Sequence, residues 1–286
     1  MTWRKIVMRQ LEPLYLFNRY DDPMILSKDV SYDANQEMMS LFTDDERVIV
    51  NRNWDEDGGP RSRGWTSGTL GWLCDTTRGL KYGQTNYATF FAVAKEKRYF
   101  SSQVQTQFTA AVGCAVLTID GYYLIQERAE GLLAGRRLDS SSAGMGIVRN
   151  GVLDFEYDIR EKLKRELSMA VDHVIPTGIH GATDFVSSQV TYKCVVPWEF
   201  KEFKAKANVV FVQRIHPVAS NNLADYLVKH YIHPNSRPSE SLIADAVGVF
   251  LRVLPADEQE QTIKKLNTLG ANIRWGVLRD GVVEID

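Results

Sequence analysis

Cysteine is scarce in this chain: three among 286 residues, at positions 74, 114 and 194. That odd number at wide spacing fits neither a disulfide framework nor a zinc site, which need paired or clustered ligands. Cys74, Cys114 and Cys194 are therefore expected as buried, inert thiols of a reducing cytoplasm. Charge of one sign is also missing. Net charge is −2, so there is no electrostatic footprint for nucleic acid or an anionic membrane surface. No apolar run approaches the roughly 18 residues of a spanning helix. The opening MTWRKIVMRQLEPLYLF is basic, but acidic and polar residues interrupt any signal-like core, and it reads as mature protein. Repeats and low-complexity tracts are absent. The five histidines never fall at metal-ligand spacing with a cysteine; His230 and His233 are three apart but lack a third partner.

What is present is the balance of a folded protein, with 44% hydrophobic and 24% charged residues. The length allows one large domain or two ordinary ones. Residues 1–104 read as an irregular α+β extension, with a short strand in DDPMILSKDV and a short helix in SYDANQEMMSLF. NWDEDGGPRSRGWTSG (53–68) reads as loop, because Gly58-Gly59-Pro60 cannot sit inside an element. TNYATFFAVAKEKRYF (85–100) reads as a helix capped by Thr85 or Asn86. Trp54, Trp65 and Trp72 pack this unit in the simplest reading.

From residue 105 the pattern sharpens. FTAAVGCAVLTI is a buried strand by composition, and Asp120-Gly121 joins it to YYLIQERA. An Asp-Gly pair between two such runs is a strong hairpin signal, since a type I′ turn needs positive φ at both positions. A loop dense in glycine and serine, EGLLAGRRLDSSSAGMGIVRNG, leads to a helix from about Asp154 to Val171. Strands are expected at QVTYKCVVPW and ANVVFVQRI. ESLIADAVGVFLRVL reads as a helix capped by Ser239, with Leu242, Ala246, Val247, Phe250 and Leu254 on one face. Pro255 breaks it, a second helix runs to Gly270, and Asp280-Gly281 suggests a terminal hairpin.

The order of hairpin, glycine-bearing loop and helix containing Arg165-Glu166-Leu167 resembles the Nudix hydrolase superfamily. Its box reads Gly-x5-Glu-x7-Arg-Glu-apolar-x-Glu-Glu-x-Gly-apolar. Arg165, Glu166 and Leu167 fill the Arg-Glu-apolar positions, but Met169 and Ala170 replace the paired glutamates and Asp172 the glycine. The box glycine is Gly151 in one alignment. In the preferred alignment it is Gly144 or Gly146, with about five inserted residues. KYGQTNYATFF, with Gly83, Thr85 and Tyr87, is similar to a Gly-x-Thr-x-Tyr segment of the UDP-glucose-type members. The resemblance implies an α/β/α Nudix sandwich with a mixed sheet over 105–286.

The resemblance also implies that Mg²⁺, bound by helix carboxylates, neutralises a pyrophosphate; such an ion demands hard oxygen ligands. At about 100° per residue, Asp158, Asp154 and Glu161 lie about 80°, 120° and 140° from Glu166. The helix thus offers one metal carboxylate, Glu166, and Mg²⁺ is expected to bind weakly; glutamates at 169 and 170 should strengthen it. Glu166 and Arg165 are the candidate catalytic residues. Because Glu166 borders the apolar stripe, a salt bridge to Lys162 or to a basic group beyond the helix is the plainer reading.

Ser142, Gly144 and Gly146 are candidates to wrap a phosphate with hydroxyls and backbone N–H groups, or they form a merely flexible loop. Arg128, Arg136 and Arg137 are candidates to grip its oxygens, or they form a solvated basic edge. Three functions stay open. The first is recognition of a nucleoside diphosphate linked to another group, such as a sugar, with weak or absent hydrolysis. The second is an active pyrophosphohydrolase whose metal ligands lie outside the helix, and the third is a structural or assembly role.

Overall fold

The run FTAAVGCAVLT becomes the hub of a sheet because its side chains satisfy both faces at once. Phe108, Ala110, Val112, Cys114 and Val116 point into one core, while Ala115 and Leu117 point into another. This is the period of two that a strand imposes. The computed structural model describes residues 12–17, 30–56, 59–64, 66–130, 135–203, 212–231 and 240–285.

The first elements are β1 (Leu14–Phe17), β2 (Val30–Glu37), α1 (Asp44–Asp55), β3 (Thr69–Asp75), β4 (Leu80–Asn86) and α2 (Tyr87–Glu96). Next come β5 (Phe108–Thr118), β6 (Tyr122–Arg128), β7 (Leu138–Asp139), β8 (Ser142–Met145), β9 (Val148–Arg149) and β10 (Val152–Leu153). Helix α3 (Phe155–Leu167) precedes β11 (Ile175–Ala182), β12 (Ser187–Val196) and β13 (Val212–Ala219). Helices α4 (Leu223–Tyr231), α5 (Ala244–Leu251) and α6 (Ala256–Thr268) lead to β14 (Ile273–Arg279) and β15 (Val282–Ile285).

One mixed sheet of 13 described strands runs β15-β14-β1-β11-β12-β5-β3-β4-β2, with β6, β7, β8 and β13 branching from β5. Strand β5 runs parallel to β12, from Ser187 opposite Thr109 to Val196 opposite Thr118. Its other edge is shared in succession by β3, β8 and β6. Strand β1 lies between β11 and β14 and is parallel to β14. Strands from both sides of residue 104 therefore belong to the same sheet.

Helix α3 covers one face with Phe155, Ile159, Leu163 and Leu167, all buried and four residues apart. Each such side chain contributes about 1.5–3 kcal/mol on burial. Helices α4, α5 and α6 cover the other face. A third core, around Met38, Val50, Trp72, Phe90 and Val93, joins α1 and α2 to the sheet. The architecture is mixed α/β with helices on both faces. Among the described residues, no helix is long and apolar enough to cross a membrane. All three cysteines are buried, and burial pushes Cys74 up to about 12 and Cys194 up to about 11.

Several expectations need correction. SYDANQEMMSLF is mostly strand β2 followed by a 3-10 turn at Met38–Leu41, not a helix. Strand pairing with β4 outweighs the local pattern. In the stretch expected as loop, Asn53, Trp54 and Asp55 are still helical. They end α1, which begins at a Thr43–Glu46 capping box. DDPMILSKDV lies outside the described residues except for Val30, and Ser239 lies outside them too. Helix α5 starts at Ala244 rather than near 240. Residues before it run as an extended strip: Leu242 bridges Leu138, and the Ile243 N–H donates to the Leu138 carbonyl at 3.0 Å. Asn86, not Thr85, caps α2.

The turns differ in type. Gly121 has φ 83° while Asp120 is not in the positive region. The β5–β6 turn is therefore the three-residue kind with one left-handed glycine, not type I′. Asp280-Gly281 and Asn150-Gly151 do have positive φ at both residues, as type I′ requires.

Candidate functional site

Strands β5 to β8, β12, helix α3 and the start of α5 enclose a cavity of about 230 Å³. Its lining is partly charged, with Lys162, Arg165 and Glu166 from α3 and Arg128, Asp139 and Asp245 from the sheet and α5. It is partly aromatic, with Tyr87 and Phe90 from α2 and Phe185 beside β12. Gln126 and Gln189 also line it. Both side chains are buried, and each has an amide oxygen without a partner among the described residues.

Helix α3 begins at Asp154, whose carboxylate accepts the Tyr157 N–H at 2.9 Å. It ends sooner than expected, at Leu167, because Ser168 takes a left-handed conformation (φ 56°). The Met169 N–H turns back to the Leu163 carbonyl at 3.2 Å, closing the last turn. Met169 is thereby buried in the core at 1% exposure. Neither Met169 nor Ala170 sits on the helix, so these positions could not present carboxylates beside Glu166 along one helical stripe.

Glu166 is 4% exposed and fully engaged. The Ser142 hydroxyl donates to Oε2 at 2.7 Å, and Arg165 Nη2 donates to Oε1 at 3.0 Å. The ion pair is with the neighbouring Arg165, whereas the plainer reading expected Lys162 or a basic group beyond the helix. Lys162 and Glu166 influence each other through charge, and burial of Lys162 lowers its ammonium pKa. Asp158 is tied elsewhere, to Arg149 at 2.6 Å and to the Ile147 N–H at 2.9 Å.

The stretch SSSAGMG is not a flexible loop. Ser140, Ser141 and Ser142 are fully buried, and β8 pairs with β5 from Cys114 to Ala111. Ser141 accepts the Val116 N–H at 2.8 Å and donates to the Leu124 carbonyl, so it bridges β5 and β6 where they diverge. Gly144 lines the cavity beside Lys162, whereas Gly146 faces Phe155 and Ala110. Of the three candidate arginines, Arg128 reaches the cavity and pairs with Asp139. Arg136 pairs with Glu130 at 2.7 Å on the surface, and Arg137 is exposed.

The wall opposite α3 holds residues that the pattern search missed. Asp245 accepts the Ser187 hydroxyl at 2.8 and 2.9 Å and lies 3.4 Å from His180 Nε2. Burial raises the Asp245 and Asp184 carboxyls; the charge of Asp245 raises Asp184 further, and that of Asp139 raises Asp245. Burial lowers His180 to about 3, so it is neutral. Asp245 had a visible signal, as the one charge in the apolar run LIADAVGVFL.

No protein-family model and no curated protein matches this chain. Among solved structures, the crystal structure of DR0079 from Deinococcus radiodurans is similar at a TM-score of 0.32 and 18% identity. The match covers 41% of this chain and 70% of that one. So distant a likeness says nothing about function.

The charged residues lining the cavity do not fit a divalent metal. Mg²⁺ needs several hard oxygens turned toward it, yet each carboxylate lining the cavity already has its own partner: Arg165 for Glu166, Arg128 for Asp139 and Ser187 for Asp245. The lysine beside Glu166 is of the wrong sign. Among the described residues, no group of three or more His, Cys, Asp or Glu side chains is placed to hold a metal ion.

Proposed function

We propose that this is a Nudix-type fold whose cavity recognises a nucleoside diphosphate linked to another group, such as a sugar, with weak or absent pyrophosphohydrolysis. The observation that carries the reading is that one cavity is lined by both cationic and aromatic side chains. Lys162 and Arg165 offer cationic donors to phosphate oxygens. Tyr87, Phe90 and Phe185 offer ring faces. The buried amides of Gln126 and Gln189 supply directional hydrogen bonds. At about 230 Å³ the cavity takes part of such a ligand rather than all of it.

The test is a thermal-shift screen of nucleoside monophosphates, diphosphates and nucleotide sugars, with and without Mg²⁺. Diphosphates should raise the melting temperature more than monophosphates do, and the shift should not require Mg²⁺. No shift with any nucleotide would end the proposal.

A second reading, an active pyrophosphohydrolase, is favoured by Asp139 and Asp245 lining the same cavity as Glu166. Mg²⁺-dependent release of phosphate, lost in a well-folded Glu166→Gln variant, would put that reading first.

A further inference from the structure

The misfit with a divalent metal has a positive counterpart, and it rests on the diphosphate reading above. We infer that the Lys162 ammonium is the resident cation of this cavity, holding a diphosphate where a metal ion would otherwise be needed.

Lys162 stands one turn before Glu166 on α3, and both side chains line the cavity. The sheet leaves a slot for it. A Cβ added at Gly144 would lie 2.5 Å from both Cε and Nζ of Lys162. A side chain at 144 would push the flexible end of this half-buried lysine aside. Among the described residues no ion pair or hydrogen bond claims its ammonium; burial, Arg165 and Arg149 disfavour its charged form, and Glu166 and Asp158 favour it. Arg149 is itself paired with Asp158. Around the cavity Arg128 is paired with Asp139 and Arg165 with Glu166, while Asp245 is held by the Ser187 hydroxyl, so Lys162 is the lining cation with no ion-pair partner among the described residues.

A lysine ammonium is a compact point charge with three donors, suited to oxygens of two adjacent phosphates. Glu166 then has a positioning role: by engaging Arg165 and Ser142 it fixes the helix against β8 and aims the two cations into the cavity.

The test is calorimetric titration of the full chain with inorganic diphosphate, in EDTA and again in excess Mg²⁺. The two affinities should agree within about two-fold, allowing for Mg²⁺ complexation of the ligand. Lys162→Met, which keeps most of the stem, should weaken binding in EDTA by roughly ten-fold or more, the loss of a charge-assisted contact. Lys162→Arg should restore part of that loss. Gly144→Ala moves the ammonium without removing it. It should also weaken binding, and it carries the test if Lys162→Met fails to fold in a urea melt. Binding that appears only with Mg²⁺, or that survives both Lys162→Met and Gly144→Ala, overturns the inference while leaving the diphosphate site standing. No binding by the unaltered chain in either buffer overturns both.

Discussion

Glu166 accepts two donors at once, and that decides what its removal does. In Glu166→Gln one oxygen still accepts from Ser142 or Arg165, while the new amide N–H₂ group faces the other donor. The buried mismatch should cost about 1–3 kcal/mol in urea melts. The same change loosens the group that positions Lys162 and Arg165, so inorganic diphosphate should bind more weakly, as calorimetric titration would show. Met169 gives a sharper contrast. If the box positions were a site waiting to be refilled, glutamate there would strengthen metal binding. The side chain is instead in the core, so Met169→Glu should destabilise by about 3 kcal/mol or more with no gain in Mg²⁺ affinity. Chemical denaturation with a parallel Mg²⁺ titration checks both halves.

At the level of elements, two glycines carry opposite kinds of constraint. Gly121 needs its left-handed φ of 83° for the β5–β6 turn, so Gly121→Ala should cost about 1 kcal/mol. Gly248 needs space. Helix α5 is buried at every position, and a Cβ at Gly248 would meet the His180 ring at 2.5 Å. Gly248→Ala should cost about 1–3 kcal/mol by overpacking, visible as a lowered urea midpoint. These positions also show what was legible in the sequence. The β5–β6 hairpin, α3 and β12 could be read from local pattern because their apolar spacing and turn residues agree with their final packing. Strands β2, β3 and β4 could not, since their edges are defined by partners far along the chain. The cavity was half legible: Arg128, Gly144, Arg165 and Glu166 flank the hairpin–helix motif. Asp245 and Gln189 come from elements brought to it only by the sheet.

For the molecule as a whole, buried ionisable groups set opposing pH dependences. The His180 pKa is depressed in the fold, so its contribution is complete above its unfolded value near 6.5 and is lost as pH falls toward about 3. The Asp184 and Asp245 pKa values are raised, so theirs is complete below the unfolded value near 3.8 and is lost as pH rises through the folded value. Asp245→Asn removes one of these burdens. Relative to the unaltered protein it should gain about 1 kcal/mol or more at pH 8 compared with pH 5, measured by urea denaturation.

The parallel pairing of β1 with β14, Leu14 beside Ile273, has a consequence for how the chain reaches this state. During synthesis, β1 emerges long before its β14 neighbour. Until then one edge of β1 offers unpaired backbone groups beside buried Leu14, Leu16 and Phe17. Contacts this distant in sequence raise the contact order and slow the final closure. A nascent or truncated chain ending before Ile273 should therefore bind chaperones and aggregate, whereas a chain that includes β14 covers this edge of β1.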